Sequence, residues 1–362
     1  MKKDELYNIF IYTIVSEVLV VDVVFPFLPI FRYLKYLGLL FFIILLASGS
    51  FKGLKINDRA KPFLLLIINS LILFPLLTQQ GVFELIFIFA GIAMFLFKTE
   101  FHFNMEKLSY YAAFMFVVFY AFRGKYNFSA EAFYASDTSS VEGGLSFIYG
   151  FLAIYFWEKK KKWHFLLNFI LVLLSLKRIV FIGVIVVIFL TLSPKRLHRF
   201  ITNRIFLIVF NMAFIIIIHL FVNGYFDEFL RNLTGLSIGQ FTGGRNTLYS
   251  LVLDGQVFSG LDYLLGIGQG GTTNILANYF GHVFLLHNDI IKIAVEHGYL
   301  IFVLFLFMLY QTKNEKVLRL TIFLNILFLT DNTLIYQAVY LMYFLIVHKY
   351  EQYPEARYIH HS

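Results

Sequence analysis

Two residues of this chain fit one kind of chemistry. Arg245 follows Gly243-Gly244, and His287 opens the run His287-Asn288-Asp289 at the far end of the same stretch, 223–286. Glycines let backbone come close to a ligand, and a guanidinium grips phosphate oxygens through two parallel N–H donors. An imidazole at a helix start has its charged form disfavoured by the macrodipole, which leaves a neutral base able to accept a proton. A cationic clamp and a base together suit displacement of an anionic leaving group by a hydroxyl. The plainer readings are a turn with a solvated arginine and an interfacial histidine cap.

A second cationic pair lies in Ser175-Leu176-Lys177-Arg178, a short connection between two apolar runs. Adjacent cations at a membrane edge suit an anionic group held at the lipid interface; snorkelling side chains are the alternative. Downstream, helical spacing puts Asn288, Lys292 and Glu296 on one face and His287 with Ile291 on another. Lys292 and Glu296 read as a mutually neutralising pair, with Asp289 and Glu296 as alternative bases to His287. The run Gly266-Ile267-Gly268-Gln269-Gly270-Gly271 lacks the Gly-Lys-Ser/Thr ending of a phosphate loop and the acidic partner of a dinucleotide fold. It reads as a flexible or tightly turning loop. With no Cys in the chain, disulfides, thiolate catalysis and Cys-ligated metals are excluded. His282 and His287 match no recognised ligand spacing, so neither a metal nor another cofactor is expected.

The elements that must position these residues are apolar helices. Of 362 residues, 59% are hydrophobic and only 14% charged, at a mean hydropathy of +0.76, against roughly 25% charged in soluble domains. Runs such as Ile179 to Leu192 do not alternate, which argues against an outer-membrane barrel. The expected fold is an all-α integral membrane protein of roughly twelve spans. They are Tyr7–Phe25, Tyr33–Ser48, Pro62–Leu77, Val82–Phe97, Leu108–Phe122, Leu145–Trp157, Trp163–Leu176, Ile179–Leu192, Ile205–Val222, His287–Tyr310, Leu320–Thr330 and Thr333–Val347. No internal repeat or linker marks a second domain, so 1–362 reads as a single polytopic unit with one large loop, 223–286. No cleavable signal peptide is expected at the first apolar segment.

With both termini inside, 21 of the 30 Lys and Arg fall in inside segments, and the long loop falls outside. The net charge of +8 then reports loops facing anionic lipid rather than a nucleic-acid partner. The nine exceptions are Arg32, Lys35, Arg123, Lys125, Lys177, Arg178, Arg231, Arg245 and Lys292. A cation kept on the translocated side works against topology, so each is a candidate for function.

The Lys177-Arg178 pair, Gly244-Arg245, the Gly266-Ile267-Gly268 run and the His287-Asn288 entry together resemble the Wzy-type O-antigen polymerases and the related O-antigen ligases. His287 is followed after ten residues by Gly298, the His-x10-Gly spacing of that family. The comparable Arg-x10-Gly pattern is not met at Arg245, where Gly255 falls one position early. The resemblance is specific from about Ser175 to Gly298. It implies a metal-independent membrane glycosyltransferase of the GT-C-like kind, in the bacterial inner membrane. Donor and acceptor would be oligosaccharides on undecaprenyl diphosphate, with membrane lipid and a chain-length regulator protein as further candidate partners. Arg178 and Arg245 would stabilise the diphosphate, His287 would be the base, and Arg32, Lys35, Arg123, Lys177, Asn288, Asp289 and Glu296 would line the substrate. Two alternatives stay open: a ligase acting on lipid A-core, and a flippase for lipid-linked sugar.

Overall fold

The computed structural model describes residues 3–23, 40, 43, 44, 55–93, 95–97, 101–123, 144–235, 244–253 and 260–352. Their regular structure is helical, apart from one isolated bridge between Ile56 and Phe97. In chain order the α-helices are α1 (Lys3–Val23), α2 (Lys61–Ile72), α3 (Gln79–Ala93), α4 (Met105–Arg123), α5 (Leu145–Glu158), α6 (Lys162–Leu174), α7 (Arg178–Leu192) and α8 (Lys195–Ile201). They continue with α9 (Arg204–Val222), α10 (Asp227–Thr234), α11 (Arg245–Leu253), α12 (Asp262–Leu265), α13 (Gly271–Phe280), α14 (Asp289–Leu309), α15 (Glu315–Phe328) and α16 (Gln337–Gln352). The expected span Tyr33–Ser48 lies almost wholly outside the described residues, as do Arg32 and Lys35.

Local sequence sets several boundaries. Asn203, Asn288 and Asn314 cap α9, α14 and α15, each accepting backbone N–H bonds through its side chain. Gly235 and Gly281 close α10 and α13 in the left-handed region. Among its described residues, the stretch expected as one long outside loop holds four short helices, α10 to α13.

Two helices, α9 and α14, are long and apolar enough to cross a membrane by length and composition. Five more apolar helices, α2, α3, α5, α6 and α7, run to 12–15 residues. Helix α5 and the first half of α14 are buried almost throughout. Around them α2, α6, α7 and α9 carry outward apolar side chains, among them Ile72, Ile182, Leu192, Ile205 and Ile216. The Phe323 ring seats against Gly150 and Gly183 and edge-on to Phe151, which brings α5, α7 and α15 together where a larger side chain would hold them apart.

The connections fall at two poles. One gathers the end of α5, α8 and the start of α15, where Arg319 binds both carboxylate oxygens of Glu158 at 2.6 and 3.0 Å and His198 lies 3.2 Å away. The other gathers Lys177, the start of α14 and the turn after α15.

Candidate active site at the turn after α15

The turn 329–334 is the meeting point. Asn288 Nδ2 donates to the Leu329 carbonyl at 2.8 Å. Arg245 Nη1 donates to the Thr330 carbonyl at 3.4 Å. Lys177 Nζ lies 2.6 Å from Asp331 Oδ2 and over the face of the Phe147 ring. The His287 backbone N–H donates to Asn332 Oδ1 at 3.0 Å, while Asn332 Nδ2 faces His287 Nδ1 at 3.2 Å. Asp289 Oδ2 accepts from Thr333 Oγ1 and from the Leu334 N–H, both at 2.9 Å. Six residues of one turn therefore tie together α7, α11 and α14, which are far apart in sequence.

His287 does not open the helix. It sits at φ 55°, two residues before α14, with Asn288 as the cap between. A left-handed backbone is costly for a non-glycine residue, and here the surrounding bonds to Asn332 hold it. The charge facing His287 accordingly comes from Asp331, whose Oδ1 is 3.9 Å from Nδ1, an electrostatic contact rather than a hydrogen bond. Sharing a helix face with Ile291 does not apply. Because the Asn332 carbonyl oxygen is spent on the His287 N–H, its amide donates to Nδ1, which puts the resting ring proton on Nε2.

Asp331 organises the site electrostatically. Burial alone would raise its carboxyl, but the facing His287 imidazole, the Lys177 ammonium and the Asn332 N–H hold it down at about 2. Tyr249, on α11 one turn from Arg245, is buried; burial raises its hydroxyl, with Arg245 and a hydrogen bond to Asn288 pulling the other way. Among the described residues two cations are left uncommitted: exposed Arg245 touches only a carbonyl, and exposed Arg178 heads α7 next to Lys177 with no ion-pair partner. The structure thus joins Lys177, Arg245, His287, Asn288 and Asp289 to one turn, while Arg178, next to Lys177, makes no hydrogen bond or ion pair to that turn among the described residues. Asp289 is buried and committed to the turn, and Asn288 to capping, so both frame the site. The Arg123 side chain lies outside the described residues.

Glu296 belongs elsewhere. It is fully buried eight residues along from the Asn288 cap, and its Oε1 takes the Thr272 N–H at 3.2 Å and the Thr272 hydroxyl at 2.5 Å. Lys292 lies 3.7 Å from Glu296 but only 2.7 Å from Glu84 on α3, which Gln269 and Thr273 also contact at 2.8 and 3.1 Å. The expected pair is a triad, with Glu296 placed at the N-terminal amides of α13.

Gly298 explains why the glycine run lies here. It interrupts α14 at φ 78°, ψ 158°, which frees the Val295 and Glu296 carbonyls from their helical partners. The N–H groups of Ile267 and Gly268 take them at 3.1 and 3.0 Å. A side chain at Gly298 would collide with the Leu264 carbonyl. The run 266–271 is tightly turned and wedged between α14 and α3, a fixed plug rather than a flexible segment or a lid.

Among the described residues no group of three His, Asp or Glu side chains converges to hold a metal. Asp331 and Asn332 escaped the sequence reading. Their signal was present, two polar residues between apolar runs on the side where Lys177 falls. Glu84 carried one too, a lone acid inside an apolar run, which demands a partner. Compared with family models, curated proteins and solved structures, the chain shows no match.

Proposed function

We propose that the chain is a multi-pass membrane glycosyltransferase that polymerises repeat units carried on undecaprenyl diphosphate, working at the outer face of the bacterial inner membrane with both termini inside. The convergence of Arg245, Lys177 and His287 on the turn 329–334 carries this reading. The outward apolar side chains of α2, α6, α7 and α9 support the membrane setting, because soluble monomers rarely expose so extended an apolar surface. Twelve spans with the loop 223–286 outside would place His287, Lys177, Asp331 and Arg245 on one side, in keeping with their shared pole.

In this mechanism an acceptor sugar hydroxyl displaces the Asn332 amide and gives its proton to His287 Nδ1. Asp331 then stabilises the imidazolium. The oxygen attacks the anomeric carbon of the donor, the bond to the diphosphate oxygen breaks with its electron pair, and configuration inverts. Arg245 and Arg178 take up the charge on the departing diphosphate; preorganised cations of this kind are worth most where charge develops. Lys177, neutralised by Asp331, positions rather than clamps. Transfer to lipid A-core in a ligase would use the same groups.

Complementation of a deletion strain tests the proposal. Arg245→Ala and His287→Ala should each abolish polymer while expression and membrane insertion persist; full-length polymer from both variants would sink it. The break in α14 beside the buried triad is the observation that favours a flippase, since carriers bind at discontinuous helices.

A further inference from the structure

At the pole opposite the candidate active site a cavity of about 610 Å3 opens between the α5–α6 turn, the end of α7 and the start of α15. Its lining combines two characters, the cations Lys159, Lys160, Lys162 and Lys316 and the apolar side chains Trp157, Phe165 and Leu192. The single acid in the lining, Glu158, is spent on Arg319. Nearby charges are committed as well, Lys161 to Glu106 and Lys159 to the Tyr350 ring. Lys160 and Lys162 have no ion-pair partner among the described residues, so the cavity keeps a surplus of positive charge. Lys160 also occupies a helix-closing position at φ 55°, where glycine would sit without strain. A lysine held there puts a cation in the cavity lining at a cost in backbone energy.

We infer that this cavity holds an anionic phospholipid, its phosphate on Lys160 and Lys162 and its upper acyl chain along Trp157, Phe165 and Leu192. The inference rests on the membrane reading above but not on the reaction. A lining of both cations and apolar side chains matches a phosphate that carries a hydrocarbon tail; a free phosphate would have no use for the apolar part. Basic clefts between helices select anionic headgroups in this way.

The chain contains two tryptophans, Trp157 in the cavity wall and Trp163 beside it. Full-length protein carrying Trp163→Phe therefore reports from Trp157 alone. It is reconstituted in phosphatidylcholine vesicles with increasing brominated phosphatidylglycerol or brominated phosphatidylcholine, and quenching is read. Half-quenching is expected at a mole fraction about fivefold lower for the anionic lipid. Lys160→Gln and Lys162→Gln together should erase that preference, while Lys55→Gln and Lys195→Gln together should keep it. Equal quenching by both lipids in the parent overturns the headgroup site alone. Loss of the preference in the control variant does so too, as does relief of quenching by inorganic phosphate. Quenching by neither lipid overturns the membrane reading itself.

Discussion

Replacing Asp331 by Asn should reveal how far one carboxylate holds the site together. Its pKa falls from the usual 3.8 to about 2 in the folded chain, a difference worth about 2.5 kcal/mol. The side chains of Asp331 and Lys177 are only 9% and 13% exposed, so solvent screening takes little from that figure. The folded value lies below the unfolded one, so the contribution is complete above about pH 4 and is lost as pH falls towards 2. Asp331→Asn should cost about 2–3 kcal/mol at neutral pH, because the Lys177 ammonium loses its partner, and should remove that part of the acid dependence. The assay is unfolding in mixed micelles for Asp331→Asn, Lys177→Met and both together. His287 and Asn332 carry part of that shift, so a coupling of about 1 kcal/mol between Asp331 and Lys177 is expected. Additivity within about 0.5 kcal/mol would refute the pairing, as would an acid limb unchanged in Asp331→Asn.

Further outcomes follow from the same contacts. Lys292→Met leaves Glu84 and Glu296 buried without their shared cation and should cost about 3–5 kcal/mol; Glu296→Gln keeps the Lys292–Glu84 pair and should cost less, the order being read from melting in detergent. Gly298→Ala forces a side chain against the Leu264 carbonyl and a left-handed backbone on alanine, costing about 1–3 kcal/mol, and limited proteolysis should find 260–281 newly accessible. Arg178→Ala should lower transfer without moving the melting temperature, whereas Lys177→Ala should lower both, because only Lys177 is tied to the turn.

Helical class and most helix positions were legible because apolar length and the absence of alternation are local signals. What escaped depends on long-range contact. Nothing near Asp331 in sequence shows that Lys177 and His287 will meet it, and Glu84 lies far from Lys292 along the chain. His287 was expected inside the helix because a helix pattern read from apolar spacing cannot register a single left-handed residue before the cap. The glycine run was expected to be a loop, which it is, but its role as partner to the break at Gly298 appears only when freed carbonyls and loop amides are matched in space.

Purified protein in liposomes, supplied with lipid-diphosphate-linked repeat units, tests the central claim most directly. Glycan chains longer than one repeat should form with the parent and fail to form with His287→Ala, at equal incorporation and helix content. Repeat units crossing the bilayer without elongation, or undiminished elongation by His287→Ala, would contradict it.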